Sequence, residues 1–393
     1  MMEASVALDH RFNAIGIELL NVGGSHWTNH ILSNPSNPSY ILDFKSPYTD
    51  RMSFAERLHN TFIYLTNVLV YGQVILAMAQ TRADKFFRYP GWEERPPIES
   101  LLANKSLVLM NTHPSMGYAV PTSPHFIQVG GISIVPNKPL PEDLKTYLDS
   151  ATDGFVYFSL GSNIAVSNLL RGERLRSFTR ALGSLKQKVV WKWEKDDFHE
   201  KPGNTITAPW FPQQDILGHK NCRLFITQGG IVSLTEALNY AVPVVGIPVF
   251  IDQRRNMMYV KSQGYGVTVE LTNITEQSIT WAVNEVLNNP TYRKMAEEKS
   301  AIFKDRPMSS LDTAVYWVEY AIRHKGAPHL KPALNLLPWY KSMLLDVAAV
   351  IFVALLTFGA AIYFLSKKLI HFAVKMALPK IPPRGQNLRQ KLY

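Results

Sequence analysis

The chain has 393 residues, 46% of them hydrophobic, 18% charged and 11% aromatic, which excludes a disordered or low-complexity chain and implies two or three domains. Its formal net charge is +10, but Lys367, Lys368, Lys375, Lys380, Arg384, Arg389 and Lys391 all follow Leu365 with no acidic residue among them. Those seven cations leave only +3 on the rest of the chain, so the basicity belongs to a tail and is not the basic face of a nucleic-acid-binding domain.

Residues 1–20 have no basic leader, and Glu3, Asp9, His10 and Arg11 interrupt any apolar run, so they do not read as a signal peptide. Pro35, Pro38 and Pro47 mark a loop-rich stretch. Residues 54–87 predict one or two helices. Within them 61–79 is nearly all apolar, broken by Asn67, Gly72 and Gln73, which fits a packed or membrane-resting helix better than a membrane span. Short strands are expected at 107–110 and 126–129. Pro136, Pro139 and Pro141 mark a linker leading into a short helix, and a domain boundary is placed there.

Beyond it, apolar runs at 155–160, 189–193, 205–208, 224–227 and 243–247 alternate with helical stretches such as 169–185, 231–241 and 253–263. Buried runs between helices predict a parallel sheet covered on both faces, doubly wound and right-handed. The single cysteine, Cys222, lies in this part and excludes an intrachain disulfide framework or a Cys-rich zinc module.

Ligands of such sheets bind beyond the carboxyl ends of the strands. Gly161 and Ser162 follow the first run, and Trp210 and Gln213 the third. Gln228, Gly229 and Gly230 follow the fourth and open a helix carrying Ser233 and Glu236, while Asp252 and Gln253 follow the fifth. Glycines at a helix start let a phosphate approach free N–H groups at the positive dipole end. A tryptophan offers a stacking face for a base. Glu236 suits vicinal ribose hydroxyls, and Asp252 with Gln253 suits sugar hydroxyls. Each feature alone has a plainer explanation: a tight strand–helix turn, a core tryptophan, a helix N-cap at Asp252. Their order as a set points to nucleotide, pyrophosphate and sugar.

Residues 347–365 contain no charge and are long enough to cross a hydrocarbon core of roughly 30 Å. Trp339 and Tyr340 precede them and the lysine cluster follows. The positive-inside bias then places the tail in the cytosol and the body on the other side. The sequons at Asn104 and Asn273 agree with a lumenal body, and the end Arg389-Gln-Lys391-Leu-Tyr resembles a basic endoplasmic-reticulum retrieval tail.

The stretch 210–253, WFPQQDILGHKNCRLFITQGGIVSLTEALNYAVPVVGIPVFIDQ, resembles the signature of the UDP-glycosyltransferases, including the animal UDP-glucuronosyltransferases. VGGISIVPNKPLPEDL, FVYFSLGSN and the stretch before the membrane span are similar to arthropod and other animal members, so the likeness covers the chain from about His10 onward. The resemblance implies a GT-B fold: two facing Rossmann-like domains, here with the N-terminal one incomplete, plus one C-terminal transmembrane helix. It implies a partial acceptor-binding domain at 1–135, a linker at 136–150, a donor-binding domain at 151–325, a juxtamembrane segment at 326–342, a transmembrane helix at 343–365 and a basic cytosolic tail at 366–393. Trp210 and Gln213 would then hold the uridine. Gly161, Ser162, Gln228, Gly229, Gly230 and Ser233 would surround the pyrophosphate, Glu236 would bind ribose, and Asp252 with Gln253 the transferred sugar.

The implied reaction is inverting transfer of glucose or glucuronic acid from a UDP-sugar co-substrate to a hydroxyl of a small lipophilic acceptor, at the endoplasmic-reticulum membrane, single-pass type I. No Asp-x-Asp motif occurs, and neither a metal nor a further cofactor is expected. Association with copies of itself or of other members is also implied. Gln228 and Val232 stand where family members often have His and Asn. The family's catalytic His and its Asp are expected upstream of Met1. His10, His26, His30, His113 and His125 lie in the wrong context, with His26 the nearest stand-in. The chain therefore reads as an N-terminally incomplete enzyme, or alternatively as a non-catalytic UDP-sugar binder that modulates full-length partners.

Overall fold

Phe155 and Tyr157 face one way from their strand and Val156 and Phe158 the other, yet all four are buried. A strand buried on both sides needs cover on both sides. The computed structural model, which describes residues 3–21, 23–163, 165–195 and 198–377, supplies that cover. It divides into two compact units, Met1–Asn335 and Leu336–Tyr393. The end of the basic tail, with Lys380, Arg384, Arg389 and Lys391, lies outside the described residues.

The first unit contains two sheets, and every pairing in them is parallel. The larger sheet comprises β4 (Phe155–Ser159), β5 (Lys188–Lys192), β6 (Thr205–Ala208), β7 (Cys222–Thr227), β8 (Val244–Gly246) and β9 (Gly266–Thr268), in the order β6-β5-β4-β7-β8-β9. The strand order reverses between β4 and β7, which creates a crevice beyond their carboxyl ends. Helices Glu173–Gly183 and Glu276–Asn288 cover one face, through Phe178, Leu182, Ile279 and Val283. Helices Glu142–Asp149, Ile231–Asn239, Gln253–Ser262 and Pro290–Lys304 cover the other, through Leu148, Ala237, Met257 and Ala296. Trp191 is the hub of the first core, with ring centroids of Phe158 at 4.7 Å and Phe198 at 4.9 Å.

The smaller sheet is β1 (Ile17–Leu20), β2 (Leu107–Met110) and β3 (Phe126–Gln128), in that order. Val108, Met110 and Phe126 pack beneath Ala79, Ala83, Ile98 and Leu102. Leu107, Leu109 and Ile127 pack against Ala314, Trp317 and Ala321 of helix Ser310–Arg323. That helix follows the whole larger sheet in sequence, so the chain crosses back to cover the sheet with which it began.

The structure differs from the sequence expectations in four places. The helix expected over 169–185 is two pieces, Val166–Leu169 and Glu173–Gly183. Gly172, at φ +56°, turns the chain between them. Strands β1 and β9 were not anticipated: they are four and three residues long and carry no extended apolar run. The helical stretch Phe54–Phe86 contains a π-helical turn at Thr66–Tyr71. Of its three breaks two face inward and Gln73 is exposed: Asn67 donates to Asp43 Oδ2 at 3.4 Å, and a Cβ on Gly72 would lie 2.1 Å from the Trp27 ring. The opposite face leaves Leu58, Phe62, Leu69 and Val74 exposed. Finally, the apolar helix of the second unit runs Leu345–Ala377, 33 residues with a mean hydropathy of 2.5 over its most apolar window. It continues through Lys367, Lys368 and Lys375, past the expected end at 365.

The two tryptophans Trp191 and Trp210 should separate sharply in a thermal melt. Trp191 is fully buried and Trp210 is 71% exposed. Trp191→Ala is expected to cost about 3–5 kcal/mol of stability, and Trp210→Ala no more than about 0.5 kcal/mol. Equal losses would contradict this packing.

Candidate functional site

The loops leaving β4, β6, β7 and β8 meet at the crevice, and their side chains form three linked groups. The first lies between the loop after β6 and helix Ile231–Asn239. Gln213 Nε2 donates to Glu236 Oε2 at 2.5 Å and to Ser233 Oγ at 3.1 Å. Trp210, exposed, sits at the mouth. The neighbouring Gln214 has a different task, donating to Ser133 O at 2.9 Å and accepting from Val135 N at 3.1 Å. One glutamine of the pair faces the crevice and the other fixes the incoming linker.

The second group joins the loops after β4 and β7. Gly161 has φ +80°, and a Cβ there would lie 2.5 Å from Gln228 Nε2. Gly229 has φ +83°, and its Cβ would strike Met257 Cγ at 2.7 Å. Both positions therefore need glycine for backbone conformation and for space. Gly230 starts the helix with no side-chain cap hydrogen bond, so the first N–H groups of Ile231–Asn239 remain donors for an anion. Gln228 Oε1 is buried without a hydrogen-bond partner. Leaving such an atom unpaired costs about 1–3 kcal/mol, a cost that a ligand hydroxyl would relieve. Ser162 lies exposed beside Gly161, and Val232 on the helix is also exposed.

The third group follows β8. Asp252 precedes helix Gln253–Ser262, but its side chain does not cap it. Its Oδ2 instead accepts from Asn256 Nδ2 at 2.6 Å. Gln253 Oε1 accepts from Val249 N at 2.8 Å and Phe250 N at 3.0 Å, so its amide NH2 is the part left for a ligand. Ile251, between them, is held at φ +56°. A β-branched residue adopts that conformation only under restraint from its surroundings.

Two residues that sequence reasoning missed tie the groups together. Lys192 Nζ donates to Gly161 O at 2.7 Å and lies 5.5 Å from the centroid of the Trp210 ring. Asn256 Nδ2 donates to Gly229 O at 3.0 Å as well as to Asp252. The signal for Lys192 was present: a charge inside a buried apolar run, at the carboxyl end of β5. Trp210, Gln228, Glu236 and Asp252 thus line one continuous rim.

Below the rim, a cavity of about 190 Å³ opens between the carboxyl ends of the two sheets. Met110, His113 and Gln128 line it from the smaller sheet, and Ile231, Asp252 and Asn256 from the larger. Of the five histidines considered, His113 reaches this cavity. Burial, and then the charge of Arg306, pull its pKa down to about 4, and its Nδ1 is 2.8 Å from Ser115 Oγ. His26, the nearest stand-in by sequence, is fully buried, with Nδ1 2.7 Å from Ser36 Oγ, and so cannot meet a substrate hydroxyl. His125 is also buried, against Leu32 O, and His10 bonds Tyr89 Oη.

The family model described as UDP-glucoronosyl and UDP-glucosyl transferase matches residues 15–380. UDP-glucosyltransferase 2 of Dactylopius coccus is 37% identical over 360 residues, covering 90% of this chain and 68% of its own length. UDP-glucuronosyltransferase 2C1 of Oryctolagus cuniculus is 38% identical over 335 residues, covering 85% of this chain and 64% of its own length. The 2-hydroxyacylsphingosine 1-beta-galactosyltransferase of Rattus norvegicus is 34% identical over 352 residues, or 89% and 63%. The chain thus spans about two thirds of the length of these curated relatives. Among solved structures, the spinosyn forosaminyltransferase SpnP superposes with a TM-score of 0.56 at 15% identity, over 81% of this chain and 72% of that one. A UDP-glucosyltransferase from Polygonum tinctorium gives 0.54 at 16% identity, over 81% and 73%. At such identities the structural likeness speaks to the GT-B fold alone.

Burial raises the Glu236 carboxyl above its ordinary value of 4.5, against the hydrogen bond from Gln213 that lowers it. An acid raised on folding costs the folded state nothing below pH 4.5, and the cost grows as pH climbs through the raised value. Glu236→Gln is therefore expected to lift the thermal midpoint at pH 7 and to leave it unchanged at pH 4. A midpoint lowered at both pH values would show that the carboxylate stabilises the fold.

Proposed function

The chain belongs to the UDP-glucoronosyl and UDP-glucosyl transferase family, and from that premise we propose that it binds a UDP-sugar on the larger sheet and transfers the hexosyl group to a hydroxyl of a small lipophilic acceptor. The observation that carries this reading is the single rim formed by Trp210, Gln213, Gln228–Gly230, Glu236 and Asp252. In it the uracil stacks on Trp210, and Gln213 and Glu236 hold the uridine, Glu236 through the ribose hydroxyls. Gly161, Ser162, Gln228, Gly229, Gly230 and Ser233 surround the pyrophosphate, and Asp252 with the amide of Gln253 holds the sugar.

As the bond to the sugar breaks, negative charge grows on the diphosphate. The uncapped N–H groups after Gly230 are aimed where that charge develops. This is why the transfer is assigned no metal and no further cofactor. Attack from the side of the smaller sheet, opposite the diphosphate, inverts the anomeric centre. The acceptor then occupies the cavity beside His113, and residues 1–135 and 151–325 act as acceptor and donor sides. The helix Leu345–Ala377 crosses the endoplasmic-reticulum membrane, with the body lumenal and the basic tail cytosolic.

One observation favours a second reading. His113 pairs with Ser115, and at a pKa of about 4 it is a weak base for a hydroxyl proton. On that reading the described residues hold the donor without transferring it, as a partner of other copies.

Calorimetric titration with UDP, joined to a transfer assay offering UDP-glucose or UDP-glucuronic acid and a phenol, tests both. UDP is expected to bind, and Trp210→Ala to weaken it about tenfold, since stacking on a base is worth about 1–3 kcal/mol. Product of inverted configuration supports the enzyme. Binding without product supports the second reading. Failure to bind UDP removes both.

A further inference from the structure

One cation of the cleft has no role in that transfer. Arg255 lies in the first turn of helix Gln253–Ser262, three residues after Asp252, which puts both side chains on one helix face. Both line the cavity. The guanidinium is half-buried and lies against the backbone of the smaller-sheet side: a Cβ on Gly23 would be 2.9 Å from Nη2.

Among the described residues Arg255 has neither a hydrogen bond nor an ion pair. The two carboxylates whose field it feels are already engaged. Asp43 Oδ2 accepts from His26 N at 3.1 Å and Asn67 Nδ2 at 3.4 Å, and its Oδ1 from Lys45 N at 3.1 Å. Asp252 Oδ2 accepts from Asn256. Tyr118 and His26 are the other titratable groups that feel Arg255, and neither supplies negative charge at neutral pH. Burial lowers the Arg255 pKa, which reflects the same incomplete solvation.

Other withdrawn arginines among the described residues have protein partners. Arg95 pairs with Asp84 at 2.5 Å and donates to Phe87 O. Arg306 donates to Phe303 O, Gly130 O and Ser310 Oγ. The adjacent Arg254 reaches Glu270 at 3.4 Å on the surface. The half-buried Arg255 guanidinium thus lines the cavity without a protein partner among the described residues, and its planar fork of donors matches a carboxylate.

We propose that Arg255 recognises a carboxylate on a substrate in this cleft, and so directs the enzyme toward acidic substrates. The inference rests on reading the rim as a UDP-sugar site. Two sources present that chemistry: the C6 carboxylate of a donor hexuronic acid, with Asp252 beside it taking the hydroxyls of the same ring, or a carboxylate on the acceptor.

The test uses the full chain and the variants Arg255→Gln and Arg255→Lys, with Arg254→Gln as a surface control. Affinities for UDP, UDP-glucose and UDP-glucuronic acid are measured by calorimetry. Those for 4-hydroxybenzoate and 4-hydroxybenzamide are measured with UDP bound. The parent chain is expected to prefer the acidic member of one pair. Arg255→Gln should erase that preference by roughly tenfold while UDP itself binds as before, and Arg255→Lys should restore part of it. A preference within the donor pair names the uronic acid as the source, and one within the acceptor pair names the acceptor. The proposal is overturned if Arg255→Gln alters neither preference, or if it weakens UDP as much as UDP-glucuronic acid, since Arg255 would then serve the diphosphate. A parent chain that fails to bind UDP removes the nucleotide reading itself, an outcome distinct from the other two.

Discussion

A parallel sheet covered on both faces buries most of the side chains along its strands, and its chemistry sits beyond their ends. Every feature of the candidate site follows from that constraint. Phe155 to Phe158 are spent entirely on two cores, and the first position free to meet a ligand is Gly161. The same is true of Gln228 after β7 and Asp252 after β8. The reversal of strand order between β4 and β7 separates their crossover helices to opposite faces, leaving room for the group that the glycines admit. Only then do the individual residues matter: Lys192 holding the Gly161 carbonyl, Asn256 holding that of Gly229, and Gln213 locking Glu236 in place.

Five strands of the larger sheet were legible in the sequence because each is an apolar run with turn residues behind it. The site loops were legible for the same reason, since the ends of readable strands locate them. What escaped reading depended on partners distant in sequence. Strand β9 is three residues beginning with glycine, and it is a strand only because Val244 lies beside it. Helix Ser310–Arg323 has an ordinary amphipathic pattern, which does not disclose that its apolar face belongs to the smaller sheet. The environment of Arg255 was equally hidden, because its neighbours Gly23 and Asp43 come from the opposite end of the chain. The burial of His26 depends on Ser36, Asp43 and Tyr64 closing over it.

The two long apolar helices illustrate how composition alone can mislead. Both Phe54–Phe86 and Leu345–Ala377 are 33 residues long and apolar enough to cross a membrane. The first nevertheless packs Asn60, Asn67 and Gly72 against the body, and its π-helical turn brings Asn67 to Asp43. Polar residues in an apolar helix are markers of a docked face when they have partners, as Asn60 and Asn67 do here. The second helix is charge-free from 347 to 365 and leads into a lysine cluster, and none of its described side chains is buried.

The polypeptide passes between the two sheets twice, once leaving β3 and once entering helix Ser310–Arg323. Both passages are stitched at one atom, the Gly130 carbonyl, which accepts from Arg306 Nη1 at 2.9 Å and from Ser310 Oγ at 2.7 Å. The outgoing and returning crossings of the chain therefore share one fastening, and any change that displaces the Gly130 carbonyl loosens both together.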